Sequence, residues 1–253
     1  LAGDALTTGG YNVAVGFRAL STEDAHGYNV AIGYQALNVQ DAGANAANVA
    51  VGFNAGGGIT TGIENVIIGG LAGDALTTGS YNVVLGHNAL STEDAHGRNV
   101  AIGQAALNAQ DAGADAYNVA VGYNAGASVT TGTTNILVGG LAGDTITTGS
   151  NNIAIGHGAL ATEDAHGRNV AIGSYALLNQ DAGSDAYNVA IGYSAGENVT
   201  TGVGNTLIGG QAGDALTTGG FNTAVGKSAL STEDANGYCT AIGYQALMTQ
   251  DAG

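Results

Sequence analysis

The chain has 253 residues, 45 of them Gly and none Pro, and 20 acidic side chains against 4 basic ones give a formal charge of −16. Clustered Lys and Arg, which phosphate contacts require, are missing, so neither nucleic acid nor an anionic membrane surface is an expected partner. The glycines do not fall at every third position as in collagen, and they sit among regularly spaced Val, Ile, Leu and Ala, unlike a disordered Gly-rich linker.

One pattern dominates from the first residues onward: an Asn, three residues that are almost all apolar, then a Gly, as in Asn12-Val13-Ala14-Val15-Gly16. Its leading position falls at 12, 29, 48, 65, 82, 99, 118, 135, 152, 169, 188, 205, 222 and 239, so steps of 17, 19, 17 and 17 residues repeat as a block of 70. A period this short describes an array in which each repeat buries its apolar face only by stacking on its neighbours. The expected fold is therefore all-β, a parallel β-solenoid or β-roll of about fourteen coils. It forms one array over residues 1–253, with blocks 1–70, 71–140, 141–210 and 211–253. Because Leu1-Ala2-Gly3-Asp4 recurs at Leu71-Ala72-Gly73-Asp74, the chain reads as a stretch of a longer protein. No run approaches the roughly 20 apolar residues of a membrane span, and Cys239, the single cysteine, excludes an intrachain disulfide.

Within each coil, the residue after Asn is Val, Ile or Thr and the third is Val, Ile or Leu, which predicts a short strand with those two side chains in the coil interior. The middle residue should then face outward. That position reads Ala14, Ala31, Ala50, Ile67, Val84, Ala101, Ala120 and Leu137 over the first eight coils, without a charge or hydroxyl. A strand apolar on both faces is covered on both, and the coil covers only one, so this stripe is the expected oligomer interface. The leading Asn residues, Asn12, Asn29, Asn48, Asn65, Asn82, Asn99, Asn118 and Asn135 in the same coils, are expected to stack as a hydrogen-bonded ladder that fixes register.

The Gly after each strand predicts either φ > 0 or a backbone approach too close for a Cβ. Three residues beyond it stands an Ala in every coil, followed by Leu20, Leu37, Gly56 and Gly73 in the first block, where a second short strand or bend is expected to pack. Loops rich in Gly, Asp and Thr close the coils, among them Ser21-Thr22-Glu23-Asp24-Ala25-His26-Gly27, repeated from residues 91, 161 and 231 with Asn236 replacing the His in the last copy. Glu23, Asp24 and His26 resemble a metal cluster. Solvated turn residues are the expectation, so no cofactor is assigned, with loop-bound Ca²⁺ as the alternative.

No nucleophile–base set, Walker loop or nucleotide fingerprint is present, so an enzyme is not expected. The variable position after the strand Gly is often aromatic, and Tyr34, Tyr123, Tyr193 and Tyr244 are candidate glycan contacts.

The segments Asn29-Val-Ala-Ile-Gly-Tyr-Gln-Ala-Leu37 and Asn99-Val-Ala-Ile-Gly-Gln-Ala-Ala-Leu107 resemble the repeats of YadA-like trimeric adhesin heads. Thr8 to Leu20 is similar to repeats of phage tail-fibre proteins. The resemblance implies a homotrimer of β-rolls serving attachment or forming a fibre shaft. The resulting expectation is an extracellular structural fibre segment on a virion or cell-surface appendage, with a cell-surface glycan or protein receptor as partner. A trimeric autotransporter adhesin head binding host matrix or glycans is the alternative. Coils of 17 or 19 residues, longer than those of adhesin heads, favour the fibre.

Overall fold

The computed structural model describes residues 1–163, 165–232, 235 and 237–249, so Glu233, Asp234 and Asn236 of the acidic loop of the fourth block lie outside the described residues. The protein is all-β, without a helix among the described residues, and so without a helix long and apolar enough to cross a membrane. It divides into two compact units, Leu1–Asn124 and Ala125–Gly253.

The first unit holds β1 (Val13–Val15), β2 (Val30–Ile32), β3 (Val49–Val51), β4 (Val66–Ile68), β5 (Val83–Leu85), β6 (Val100–Ile102) and β7 (Val119–Val121). Each pairs in parallel with the next, in the register that the repeat predicts: Ala14 opposite Ala31, Ala31 opposite Ala50, Ala50 opposite Ile67. The second unit repeats this with β8 (Ile136–Val138), β9 (Ile153–Ile155), β10 (Val170–Ile172), β11 (Val189–Ile191), β12 (Thr206–Ile208), β13 (Thr223–Val225) and β14 (Thr240–Ile242). Both units are parallel β-solenoids, one three-residue strand per coil.

The strand faces are the reverse of the expectation. Ala31, Ala50, Ile67, Val84, Ala101, Ala120 and Leu137 are fully buried inside the coil and Ala14 is partly buried, so this stripe is interior and is not an outward interface. The flanking β-branched residues point out instead: Val66 and Ile68 of β4 are 40% and 38% exposed around a fully buried Ile67. A coil of 17 residues encloses little space, and the middle side chain shares it with Ala19 and Leu20 or their equivalents from the opposite wall, all fully buried. Opposite a Leu turn the middle residue is therefore Ala or, once, Val84, while the flanking β-branched pair keeps its preference for extended backbone on the outside.

That opposite wall is a turn and not a second strand. Leu20 and Leu37 adopt left-handed backbone at φ 50° and 49°. Where Gly56 and Gly73 replace them, the freed space is taken twice: by Ile59 and Leu76, three residues further on, and by the larger strand residue Ile67. A Cβ on Gly56 would lie 3.0 Å from Ile59 Cδ1 and 3.1 Å from Ile67 Cδ1. Leu207 stands in the same way between Gly196 and Gly213 in the second unit. The core thus keeps its packing density by trading volume between strand and turn.

Gly16, Gly33, Gly52, Gly69 and Gly86 meet both conditions that the sequence offered. Gly86 has φ +142°, and a Cβ there would fall 2.3 Å from the carbonyl oxygen of Gly103 in the next coil.

Candidate functional site

Four arrangements on this scaffold carry the polar and exposed apolar chemistry. The first is the Asn ladder. Asn29 N–H donates to Asn12 Oδ1 at 2.9 Å, Asn48 N–H to Asn29 Oδ1 at 3.1 Å, and Asn65 N–H to Asn48 Oδ1 at 2.8 Å. The series continues through Asn82, Asn99 and Asn118 in the first unit, and from Asn135 to Asn152 and onward in the second. The amide nitrogen closes the coil as well: Asn48 Nδ2 donates to Gly62 O, Asn65 Nδ2 to Gly79 O and Asn135 Nδ2 to Gly149 O. In the 19-residue coils that acceptor is displaced, and Nδ2 of Asn29, Asn99 and Asn169 has no hydrogen-bond partner. A fully buried Gln40 compensates on the next rung, accepting from Asn48 Nδ2 at 2.7 Å and donating to Thr60 O at 3.1 Å. Gln40 lies in a polar closing loop, and its return at 110 and 180 is the sequence signal that sets it apart from its neighbours.

The second is the outward strand face, on which every strand presents two apolar or Thr side chains and no charge. Among the described residues, the charged side chains all sit in the connecting turns and loops.

The third is an aromatic flank. Tyr34 stacks between Phe17 and Phe53 with centroids 5.4 Å apart on either side, and Tyr11 stacks on Tyr28 at 5.1 Å. Arg98 lies over Tyr81 and Tyr117, 5.0 and 5.7 Å from their centroids, and pairs with Asp115 at 2.6 Å. That pairing holds the Asp115 carboxyl below its ordinary range. Tyr123, Tyr193 and Tyr244 are all more than half exposed, and Tyr193 meets Tyr175 edge-on at 6.2 Å. The four candidate glycan residues are therefore on the surface but do not form one cluster. The described residues enclose no pocket, so a ligand of this flank would meet an open surface.

The fourth is the acidic loop. Glu23 and Glu93 are not solvated turn residues: their side chains are fully buried. Oε1 of Glu23 accepts the His26 backbone N–H at 2.9 Å, as Glu93 does from His96 at 3.1 Å, which explains the Glu-x-x-His spacing. Oε2 of both, and Nδ1 of both histidines, are buried without a hydrogen-bond partner. Burial pushes the Glu93 carboxyl up, with Asp111 adding to this, against the His96 N–H, the nearby Ala112 N–H and the His96 charge. Glu23, Asp24, His26 and Asp41 bring one ligand atom each within 4.8 Å of one another, as do Glu93, Asp94 and His96.

No protein-family model, curated protein or solved structure matches this chain. What defines it is its own geometry: a repeat protein of the parallel β-solenoid class.

Proposed function

We propose that this chain is a segment of an extracellular structural fibre, a phage tail fibre or similar appendage, assembled as a homotrimer through its outward strand face. The observation that carries this reading is that face. In Leu1–Asn124, two Val, Ile or Leu side chains on each of seven strands stand partly in water. At roughly 60 Å² each they expose on the order of 800 Å², more than the largest apolar patch of a typical monomer and close to what one partner contributes to a standard interface. Removing that area from water is worth about 20 kcal/mol before association costs, enough to hold chains together. The repeat's resemblance to trimeric adhesin heads motivates three chains.

The function is then mechanical. Stacked coils joined by backbone pairing, the Asn ladder and glycine contacts resist bending, and burial of the strand faces ties the chains laterally. A second reading, an adhesin head that binds glycans along its flank, is favoured by the exposed Phe17, Tyr34 and Phe53, whose stacked rings present an open apolar strip of ring edges against which a sugar chain can lie.

Gold-labelled antibodies against this segment test the reading on intact particles and cells. Label on virion appendages supports the fibre, label on a bacterial surface supports the adhesin head, and label on neither overturns both.

A further inference from the structure

We propose that Glu23, Asp24, His26 and Asp41, together with their counterparts Glu93, Asp94 and His96 one block later, bind a divalent cation of borderline softness, with Zn²⁺ as the probe. The inference goes beyond the fibre reading and is independent of it.

The carboxylates alone would carry little. What points to a ligand is the buried pair at the centre of each loop. The Glu23 side chain is fully buried with Oε2 unpartnered, and His26 Nδ1, also buried and unpartnered, stands 3.6 Å from Oε1. The second block repeats this with Nδ1 of His96 3.7 Å from Oε1 of Glu93. These separations are too long for a hydrogen bond, yet they match two donors on one ion at about 2.0–2.2 Å from each. A direct Glu–His hydrogen bond would have drawn the two atoms together.

The donor set decides the class of ion. Ca²⁺ and Mg²⁺ take oxygen ligands, whereas an imidazole nitrogen beside carboxylates suits Zn²⁺ and its first-row neighbours. Asp24 and Asp41 are exposed and complete the set from two levels of the stack, since Asp41 follows Asp24 by 17 residues, one coil length. The main chain under Asp24 is fixed, its carbonyl accepting from Thr7 N–H at 2.7 Å and Thr7 Oγ1 at 2.9 Å. A bound cation would therefore clamp successive coils at a loop where backbone pairing is sparse. Glu163 and His166 repeat the central pair at 3.9 Å in the third block, where Asp164 lies outside the described residues.

Calorimetric titration of the full chain with Zn²⁺ at neutral pH, after chelation and dialysis, tests this. Two or more saturable sites are expected, with Co²⁺ giving the visible absorption bands of a nitrogen-ligated ion. The double variant His26→Asn/His96→Asn should weaken two of those sites by more than about tenfold and lose the corresponding Co²⁺ bands. Its fold is checked by circular dichroism, and the fourth block already carries Asn at the matching position, 236. Asp24→Asn/Asp94→Asn, at exposed positions, provides the same test should the histidine variant not fold. No saturable Zn²⁺ binding, binding unchanged in the variants, or displacement of Zn²⁺ by equimolar Ca²⁺ overturns the proposal.

Discussion

Asn65 Oδ1 accepts both the backbone N–H of Asn82, at 2.9 Å, and the Asn82 Nδ2, at 3.2 Å, so a single oxygen joins two successive coils twice. Asn65 Nδ2 meanwhile donates to Gly79 O at 2.9 Å. An Asn65→Ala substitution strands a buried N–H on one side and a buried carbonyl on the other, at about 1–3 kcal/mol each. The expected outcome is a loss of about 2–4 kcal/mol in urea unfolding, with faster hydrogen exchange at the Asn82 amide. The natural replacement at the fourteenth rung shows which half of the contact a non-Asn residue retains: Cys239 N–H still donates to Asn222 Oδ1 at 2.9 Å.

The glycines divide into two kinds that a single substitution separates. Gly86→Ala combines φ +142° with a Cβ 2.3 Å from Gly103 O, backbone against backbone, and nothing flexible can yield. About 3 kcal/mol or more should be lost. Gly43→Ala, at φ +65° with open space around the new Cβ, should cost only about 1 kcal/mol. Thermal melts of the two variants check the contrast, and equal losses would show that close approach between coils is not what the strand glycines serve.

Volume exchange between strand and turn predicts non-additivity. Ile67→Ala alone should cost about 2–5 kcal/mol through the cavity it leaves. Gly73→Ala alone crowds Leu76 Cδ1 at 2.9 Å and Ile67 Cδ1 at 3.3 Å. Combined, the second substitution partly fills the space the first opens. The double variant should therefore be more stable than the sum of the singles by about 0.5–2 kcal/mol in a double-mutant cycle. The left-handed backbone at Gly73, φ +51°, is one that Leu20 and Leu37 tolerate in their own coils, and its cost of about 1 kcal/mol enters the single and the double variant alike and so cancels in the cycle.

Stability should rise on mild acidification. Burial pushes the carboxyls of Asp74, Asp144 and Asp214 above the ordinary value of 3.8, against the pull of their own backbone N–H groups. A raised folded-state pKa means that the folded chain takes up protons before the unfolded chain does. Lowering the pH through the folded-state values therefore favours folding, and the gain is complete below 3.8. Asp115 runs the other way: held down by Arg98, it contributes stability above 3.8 that is lost as pH falls through its lowered value. Melting temperature should climb as pH drops from neutrality and turn over below this range, and Asp74→Asn should raise the neutral-pH value and flatten the climb.

Strand positions, coil lengths and parallel register were legible because the Asn-to-Gly spacing repeats without error. The inside and outside of the strand were not, because β-branched residues read as core and Ala reads as neutral. The distinguishing signal was nevertheless present. Ile67, Leu137 and Leu207 appear at the middle strand position only in coils whose turns carry Gly73, Gly143 and Gly213, a compensation that only an interior position needs. The burial of Glu23, expected to be a solvated turn residue, was not legible for a related reason. Its neighbours Asp24 and His26 are partly or fully exposed, and composition alone does not tell which member of an acidic loop turns inward.

The central claim, that Val66, Val83 and the other outward strand residues are covered by sister chains, is tested most directly by the mass of the native assembly in solution. Multi-angle light scattering should give three times the mass of one chain, and Val66→Lys/Val83→Lys should shift that mass downward. A native chain that stays monomeric at micromolar concentration, with those side chains open to water, would contradict it.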